Sequence, residues 1–103
     1  MWAQLIKMPL KPDNDTAALI KEIRAAEQPG SGLVRSFVMH DQSDPSAVYT
    51  LAVFESEEKA RAREQDPRRQ ERLQSARQIM ADIFDGPPEF TDLIVVEEWT
   101  DAG

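Results

Sequence analysis

The sequence predicts an α+β fold, in which one four-stranded antiparallel sheet carries helices on one face. Three observations support this prediction. The chain has 103 residues, which is the length of one domain, here residues 1–103. Some segments alternate apolar and polar residues, whereas others repeat apolar residues every three or four positions. These segments follow one another in the order β-α-β-β-α-β, which is typical of a sheet with its helices packed on one side.

The first strand and the first helix are marked by clear boundaries. Trp2–Met8 is a predicted strand, and Pro9 ends it because proline cannot donate a ladder hydrogen bond. Asp13–Asp15 offers capping side chains to a helix that is expected to run through about Gln28. Pro29–Gly32 then breaks the chain direction before the next element.

A hairpin follows. Gly32–His40 is the second predicted strand, Asp41–Ser46 is a turn, and Val48–Phe54 is the third strand. The polar turn between two apolar strands favours direct antiparallel pairing.

The second helical region is expected to be broken into two helices. Ser56 is a suitable N-cap for the first, whereas Asp66 and Pro67 suit the N-cap and first position of the second. The segment Gly86–Phe90 stops the second helix, and Thr91–Trp99 is the predicted last strand. The buried stripe of the longer helix is expected to be Leu73, Ala76, Met80 and Ile83.

The third and fourth strands are apolar on both sides. Neighbouring residues of a strand point to opposite faces of the sheet. In the third strand, one face therefore carries Val48, Thr50, Ala52 and Phe54, and the other carries Tyr49, Leu51 and Val53. In the fourth strand, Leu93, Val95 and Trp99 oppose Ile94 and Val96. Two helices can cover only one face of such a sheet, and an open apolar face usually marks an interaction surface. We therefore expect a homodimer through the open sheet face, although the sequence does not tell which face meets the helices.

Charge and composition exclude several classes of function. The net charge is −7, and the six acidic and six basic residues between Glu55 and Arg72 leave that segment neutral, so no basic footprint for nucleic acid exists. No apolar run is long enough to cross a membrane, and no secretory signal is visible, which makes a cytoplasmic location the expectation. The chain has no cysteine, which excludes disulfides and thiolate chemistry.

Two segments resemble a known superfamily. They are the strand-to-helix junction VFESEEKARA (53–62) and the end of the long helix, IMADIFDGPPEF (79–90). Together with the order of elements, they resemble the dimeric α/β-barrel superfamily, and within it the antibiotic-biosynthesis-monooxygenase-like group. The resemblance implies a ferredoxin-like subunit that pairs into a barrel, with a pocket between sheet and helices. It also implies that some members oxidise polycyclic aromatic substrates with oxygen and no cofactor, and that others degrade haem.

The residues of the haem-degrading members do not carry over. The resemblance would place an Asn on the first strand, but this chain has Gln4 there. It would also place a Trp and a His on the second helix, and residues 57–84 contain neither. A role in haem degradation is therefore disfavoured, and no cofactor is expected.

His40 and Arg35 are the candidate catalytic residues. His40 is the only histidine and could act as a base held by the carboxylate of Asp41, or it could be a solvated strand end. Arg35 alternates with Leu33 and Phe37, so it could point inward and bind an anionic ligand or a carboxylate such as Glu97. The alternative for Arg35 is an exposed or interfacial ion pair.

The candidate ligand-binding residues are aromatic or polar side chains on strands, namely Trp2, Gln4, Tyr49 and Trp99. The aromatic ones could stack on an aromatic ligand, or they could be core or interface anchors. A single histidine among scattered carboxylates is a poor metal set, so no metal is expected.

Two functions remain open from the sequence. The first is a cofactor-independent monooxygenase-like enzyme that acts on an aromatic or lipophilic small molecule. The second is a non-catalytic homodimeric module that binds a small ligand or only assembles. The resemblance favours the first, whereas the absence of a convergent catalytic set favours the second.

Overall fold

The computed structural model describes residues 1–12 and 16–101. The elements, in chain order, are β1 (Trp2–Pro9), α1 (Thr16–Ala25), β2 (Leu33–Asp41), β3 (Asp44–Phe54), α2 (Glu57–Glu64), α3 (Pro67–Ile83) and β4 (Glu89–Ile94). The predicted β-α-β-β-α-β order is confirmed, with the second helical region divided in two.

The four strands form one antiparallel sheet in the order β2-β3-β1-β4. Strand β1 is central and pairs with β3 from Trp2 opposite Phe54 to Pro9 opposite Ala47. Strands β2 and β3 are joined by the predicted hairpin and pair along most of their length. The helices lie on one face of this sheet, and α1 packs against α3. This is the ferredoxin-like arrangement that the sequence predicted.

The predicted helix starts at residues 56 and 66 are confirmed. The hydroxyl oxygen of Ser56 accepts a hydrogen bond from the Lys59 amide at 3.1 Å and caps α2. Asp66 caps α3 by accepting from the Arg68 amide at 2.9 Å, with Pro67 as the first helical residue. Helix α1 ends at Ala25, three residues before the predicted end, and the proposed cap at 13–15 lies outside the described residues.

The hairpin turn is tighter than predicted. The strands continue to Asp41 and restart at Asp44, so only two residues separate them instead of the whole segment 41–46. The Asp41 carboxylate accepts a hydrogen bond from the Ser43 amide at 2.7 Å, which stabilises the turn locally. Just after the turn, the Asp44 carboxylate accepts hydrogen bonds from both the amide and the hydroxyl of Ser46.

The predicted bounds of the last strand are wrong. Strand β4 runs from Glu89 to Ile94 instead of from 91 to 99, because within the described part of the chain it pairs with β1 alone. Pairing begins where Glu89 faces Lys7 and ends where Ile94 faces Trp2, the first residue of β1. After this point the Val95 amide donates to the Met1 carbonyl at 3.2 Å, and the chain leaves the ladder.

The sheet has one covered face and one open face. Met8, Val48, Ala52 and Phe54 are buried toward the helices, so the even-numbered set of β3 is the covered one. The buried residues form two separate clusters. The larger contains Met8, Leu10, Leu19, Val48, Ala76 and Ile83, and the smaller contains Trp2, Ala52, Phe54 and Ala60.

The predicted helical stripe contributes to the larger cluster through Ala76 and Ile83, with Leu73 and Met80 packed against it. Among the described residues, no helix is both long enough and apolar enough to span a bilayer.

Candidate functional site

A cavity of about 1090 Å³ lies between the sheet and the helices, in the gap between the two buried clusters. Most of the residues that line it are apolar. The sheet contributes Ile6, Val38, Ala52, Phe54 and Phe90, and the helices contribute Ile20, Ile23, Leu73 and Met80. A mostly apolar cavity of roughly this size is typical of small-molecule sites, which usually measure about 300–1000 Å³.

The sheet also directs a few polar side chains to the cavity, namely Gln4, Ser36, Thr50 and Asp92. Gln4 and Asp92 are neighbours across β1 and β4, and the Gln4 amide nitrogen donates to Asp92 Oδ1 at 3.1 Å. Arg61 donates to Asp92 Oδ2 at 2.9 Å. The hydrogen bonds from Gln4 and Arg61 together outweigh the opposing effect of burial and lower the pKa of Asp92. Asp92 is therefore a carboxylate at neutral pH, bonded on both oxygens.

Arginines surround one end of the cavity. Arg61 lies over the Trp2 ring, with its guanidinium carbon 5.1 Å from the ring centroid, and Arg63 lies over Phe54 at 5.2 Å. Trp2 and Phe54 are themselves 6.0 Å apart, so two stacked cations cover the aromatic end of the smaller cluster. This end of the cavity is more polar than the rest.

Arg63 is held by a carboxylate. It contacts Glu27 through Nε at 3.0 and 3.2 Å and through Nη2 at 2.7 Å, and both side chains are mostly buried. Burial acts to raise the pKa of Glu27, but hydrogen bonds with Arg63 and Ser31 and the nearby positive charges outweigh it and lower that pKa. The pair joins the end of α1 to α2 beside the cavity.

One of the four predicted ligand-binding residues lines the cavity, namely Gln4. Trp2 does not line it and is buried in the smaller cluster beneath Arg61. Tyr49 lies on the opposite face of the sheet, where it pairs with Lys7, and Trp99 lies beyond the end of β4 with 81% of its surface exposed. The cavity wall therefore includes Gln4 and none of the other three.

The two predicted catalytic residues lie away from the cavity. Arg35 was expected to share a face with Leu33, but a β-bulge after Leu33 inserts Val34 and turns Arg35 to the open face opposite Val53. Leu33 lines the cavity, whereas Arg35 does not.

His40 bonds to the backbone of Asp41 and not to its carboxylate. His40 Nδ1 donates to the Asp41 backbone carbonyl at 3.0 Å, whereas the Asp41 carboxylate accepts from the Ser43 amide in the hairpin turn. His40 is an exposed residue near the end of β2 and does not line the cavity. Any catalytic role of His40 or Arg35 stays a prediction.

The sequence did not single out the charged residues that line the cavity, which are Arg24, Glu27, Arg61, Arg63, Glu64, Arg69 and Asp92. The signal was present in the segment RAREQDPRR (61–69), where arginines repeat across a helix break. The charge totals indicate only that this segment is locally neutral, and they do not tell which side chains turn inward. Within the described residues, no group of three or more His, Cys, Asp or Glu side chains has the arrangement of a metal site.

The sheet, the helices and the cavity between them define the fold of the antibiotic-biosynthesis-monooxygenase-like group, which confirms the predicted resemblance at the level of the fold. A candidate antibiotic biosynthesis monooxygenase from Chloroflexus aurantiacus has a TM-score of 0.71 and 25% identity, over 97% of this chain and 98% of that one. A second candidate, from Nitrosomonas europaea, has a TM-score of 0.70 and 17% identity, over 94% and 100%.

A third solved structure has a described activity. SnoaB from Streptomyces nogalater, a cofactor-independent oxygenase, has a TM-score of 0.72 and 11% identity, over 97% of each chain. At that identity the likeness shows the shared fold alone. No protein-family model matches the sequence, and no curated protein matches it either.

Proposed function

We propose that the protein binds an aromatic or lipophilic small molecule in the cavity between its sheet and its helices, and oxidises it without a cofactor in the manner of a monooxygenase. The observation that carries this proposal is the cavity itself, about 1090 Å³ with mostly apolar walls. A gap of that size costs packing energy in the free protein, and a bound apolar molecule would recover it. The fold shared with SnoaB supports the choice of chemistry.

The oxidation needs little from the protein beyond binding and a proton path. When an activated methylene becomes a carbonyl, the substrate supplies the electrons, one O₂ is consumed, and its second oxygen atom leaves as water. The polar side chains of the cavity wall could orient the substrate and relay its protons. Gln4, Thr50 and Ser36 are the uncharged groups available for this role.

A second function is favoured by a different observation. Each lining carboxylate is already paired with an arginine: Glu27 with Arg63, and Asp92 and Glu64 with Arg61. The pKa values of Glu27 and Asp92 are lowered, which makes these carboxylates weaker bases. A non-catalytic module that only binds the small molecule fits these pairings.

An oxygen-uptake assay separates the two functions. Anthrone is a suitable probe because its methylene can be oxidised to a carbonyl by one O₂, with one water formed. We expect ¹⁸O from labelled O₂ in the product and a rate above the background reaction. Binding of anthrone without catalysed uptake would support the binding module, and absence of binding would contradict both.

Variants at Thr50 test whether the chemistry occurs in the cavity. Thr50→Phe should fill part of the cavity and lower kcat/KM by about tenfold or more, whereas Thr50→Ser, which keeps the hydroxyl and fills no space, should change it much less. Equal activities in both variants would place the reaction elsewhere. His40→Ala and Arg35→Ala test the predicted catalytic residues, and we expect unchanged turnover because neither lines the cavity.

We also propose that the protein forms a homodimer through the open sheet face. Phe37 and Met39 on this face keep more than two-fifths of their surface exposed. Leu51 lies at the centre of the face, on strand β3, which is flanked by β1 and β2. Exposed apolar residues on one sheet face suit a two-fold contact with a second copy. The cytoplasmic location expected from the sequence stays a prediction.

Leu51→Glu tests this interface by analytical ultracentrifugation. Placing a charge on each side of a two-fold contact should convert the dimer into monomers or aggregates. Gln74→Glu adds the same charge on the exposed surface of α3 and should leave the dimer intact. A wild-type monomer at micromolar concentration, or a dimer of Leu51→Glu, would contradict the proposed interface.

A further inference from the structure

Arg69 is a half-buried arginine that points along the cavity wall. It is the third residue of α3, and Leu73 follows it by one helical turn on the same side of the helix. Arg69, Leu73 and Met80 all line the cavity, so Arg69 begins the helical stripe that faces it.

The other two arginines at this end already have counter-ions. Arg63 is bonded to Glu27, and Arg61 is bonded to Asp92 and lies 3.6 Å from Glu64. Among residues 1–12 and 16–101, the side chain of Arg69 has no hydrogen bond or ion pair, and only its backbone amide bonds to the Asp66 cap of α3.

Its surroundings disfavour the charge of Arg69 in the free protein. Burial and the nearby Arg63 lower the pKa of Arg69, and Glu27 and Glu64 offset this only in part. The cavity wall carries four arginines and three carboxylates, a net charge of +1 in a chain whose total is −7. A half-buried cation without a partner costs stability, and a bound anion would remove that cost.

We propose that Arg69 binds the carboxylate of an amphiphilic ligand whose apolar part lies in the cavity. The planar guanidinium matches a carboxylate through two parallel hydrogen bonds, and Leu73 and Met80 continue the wall along the apolar part. This proposal rests on the proposed function of the cavity and narrows its ligand from a lipophilic molecule to a lipophilic acid.

Matched fluorescent probes test the proposal. 9-Anthracenecarboxylate and 9-anthracenemethanol share a ring system and differ in the charged group, and dodecanoate and dodecanol provide a linear pair that competes for the same cavity. We expect wild type to bind each acid about tenfold or more tightly than its alcohol, as two charge-assisted bonds would give. Because the protein is acidic overall, general electrostatics would favour the opposite order.

Three variants assign that preference to one residue. Arg69→Gln should abolish the preference for acids while leaving the affinity for the alcohols within about twofold, and Arg69→Lys should restore only part of it. Arg77→Gln removes the same charge from an exposed position on α3 away from the cavity, and it should keep the full preference.

Stability provides a second readout. Without ligand, Arg69→Gln should unfold at a higher temperature than wild type, because it removes a charge that the free protein compensates only in part. A lower unfolding temperature would indicate a structural role and contradict the proposal.

The outcomes distinguish this proposal from the proposed function. Equal affinities of wild type for acids and alcohols, or a preference that survives Arg69→Gln, would overturn the anion subsite and leave the cavity as a binding site. Failure of wild type to bind any of the four probes would overturn the cavity function and the subsite with it.

Discussion

Removing the carboxylate of Glu27 should destabilise the protein strongly. Glu27→Gln keeps the size of the side chain but removes the negative charge that three contacts of 2.7–3.2 Å join to Arg63. Arg63 and Arg69 would then lie near each other at the cavity end without this compensating charge. The loss therefore includes both the broken hydrogen bonds and the charge that is left behind.

The magnitude follows from the burial of the pair. The exposed fractions are 13% for the Arg63 side chain and 26% for that of Glu27, so solvent screens this pair less than a surface pair. Hydrogen bonds to charged groups contribute about 1.5–3 kcal/mol, which gives an expected loss of about 2–3 kcal/mol. For a domain of this size the melting temperature would fall by about 10–20 °C.

Urea unfolding followed by tryptophan fluorescence measures this loss. Glu22→Gln is the matched control, because Glu22 forms a longer ion pair of 3.7 Å with Arg72, which is half exposed, and should cost less than about 0.5 kcal/mol. In a protein that already carries Arg63→Met, Glu27→Gln should lower the free energy of unfolding by less, because the guanidinium that binds Glu27 is already absent. Two results would contradict this prediction. One is a loss of unfolding free energy for Glu27→Gln no greater than that for Glu22→Gln, and the other is additive losses for Glu27→Gln and Arg63→Met.

Three further predictions concern local structure and pH. Gly32→Ala should lower the free energy of unfolding by about 3 kcal/mol, because the φ of Gly32 is +84° and a Cβ there would lie 2.7 Å from the Lys59 Cβ. Gly30→Ala is the control: its φ is +77° but the space around it is open, so the loss should be only about 1 kcal/mol. Ser56→Ala should cost about 1 kcal/mol in urea unfolding by removing the cap of α2, and a cost near zero would show that the cap is dispensable. Hydrogen bonds from Arg68 lower the pKa of Asp66 from 3.8 to about 2. Asp66 therefore stabilises the fold above pH 4 and loses this effect as the pH falls toward 2, so the urea midpoint of Asp66→Asn should be less sensitive to pH in that window.

The order of elements was predictable because local signals determine it. The alternation along β3, the cap at Ser56 and the Asp66-Pro67 pair are all properties of neighbouring residues, and each is confirmed. The end of β4 was not predictable in this way. It depends on the register in which β4 pairs with β1, and the sequence of β4 alone does not contain that register.

The site was less predictable than the fold because it depends on tertiary placement. One inserted residue, Val34, changes the face of Arg35, and no strong breaker in the strand marks it. Arg69 looks like one of several solvated arginines until α3 is placed over the sheet, and only then does it turn toward the cavity without a partner. Gln4 lines the cavity and lies on the first strand, whose bounds were clear, but its role in ligand binding stays a prediction.

The most direct test of the account is methyl NMR of the protein titrated with 9-anthracenecarboxylate. Neighbouring residues of β1 report on opposite faces of the sheet, because Ile6 lines the cavity and Leu5 faces Leu51 on the open face. If the ligand lies in the cavity, we expect ligand-to-methyl contacts and shifts at Ile6, Leu73 and Met80, with Leu5 and Leu51 little changed. Contacts confined to Leu5 and Leu51, or none at all, would show that the cavity between sheet and helices is not the binding site.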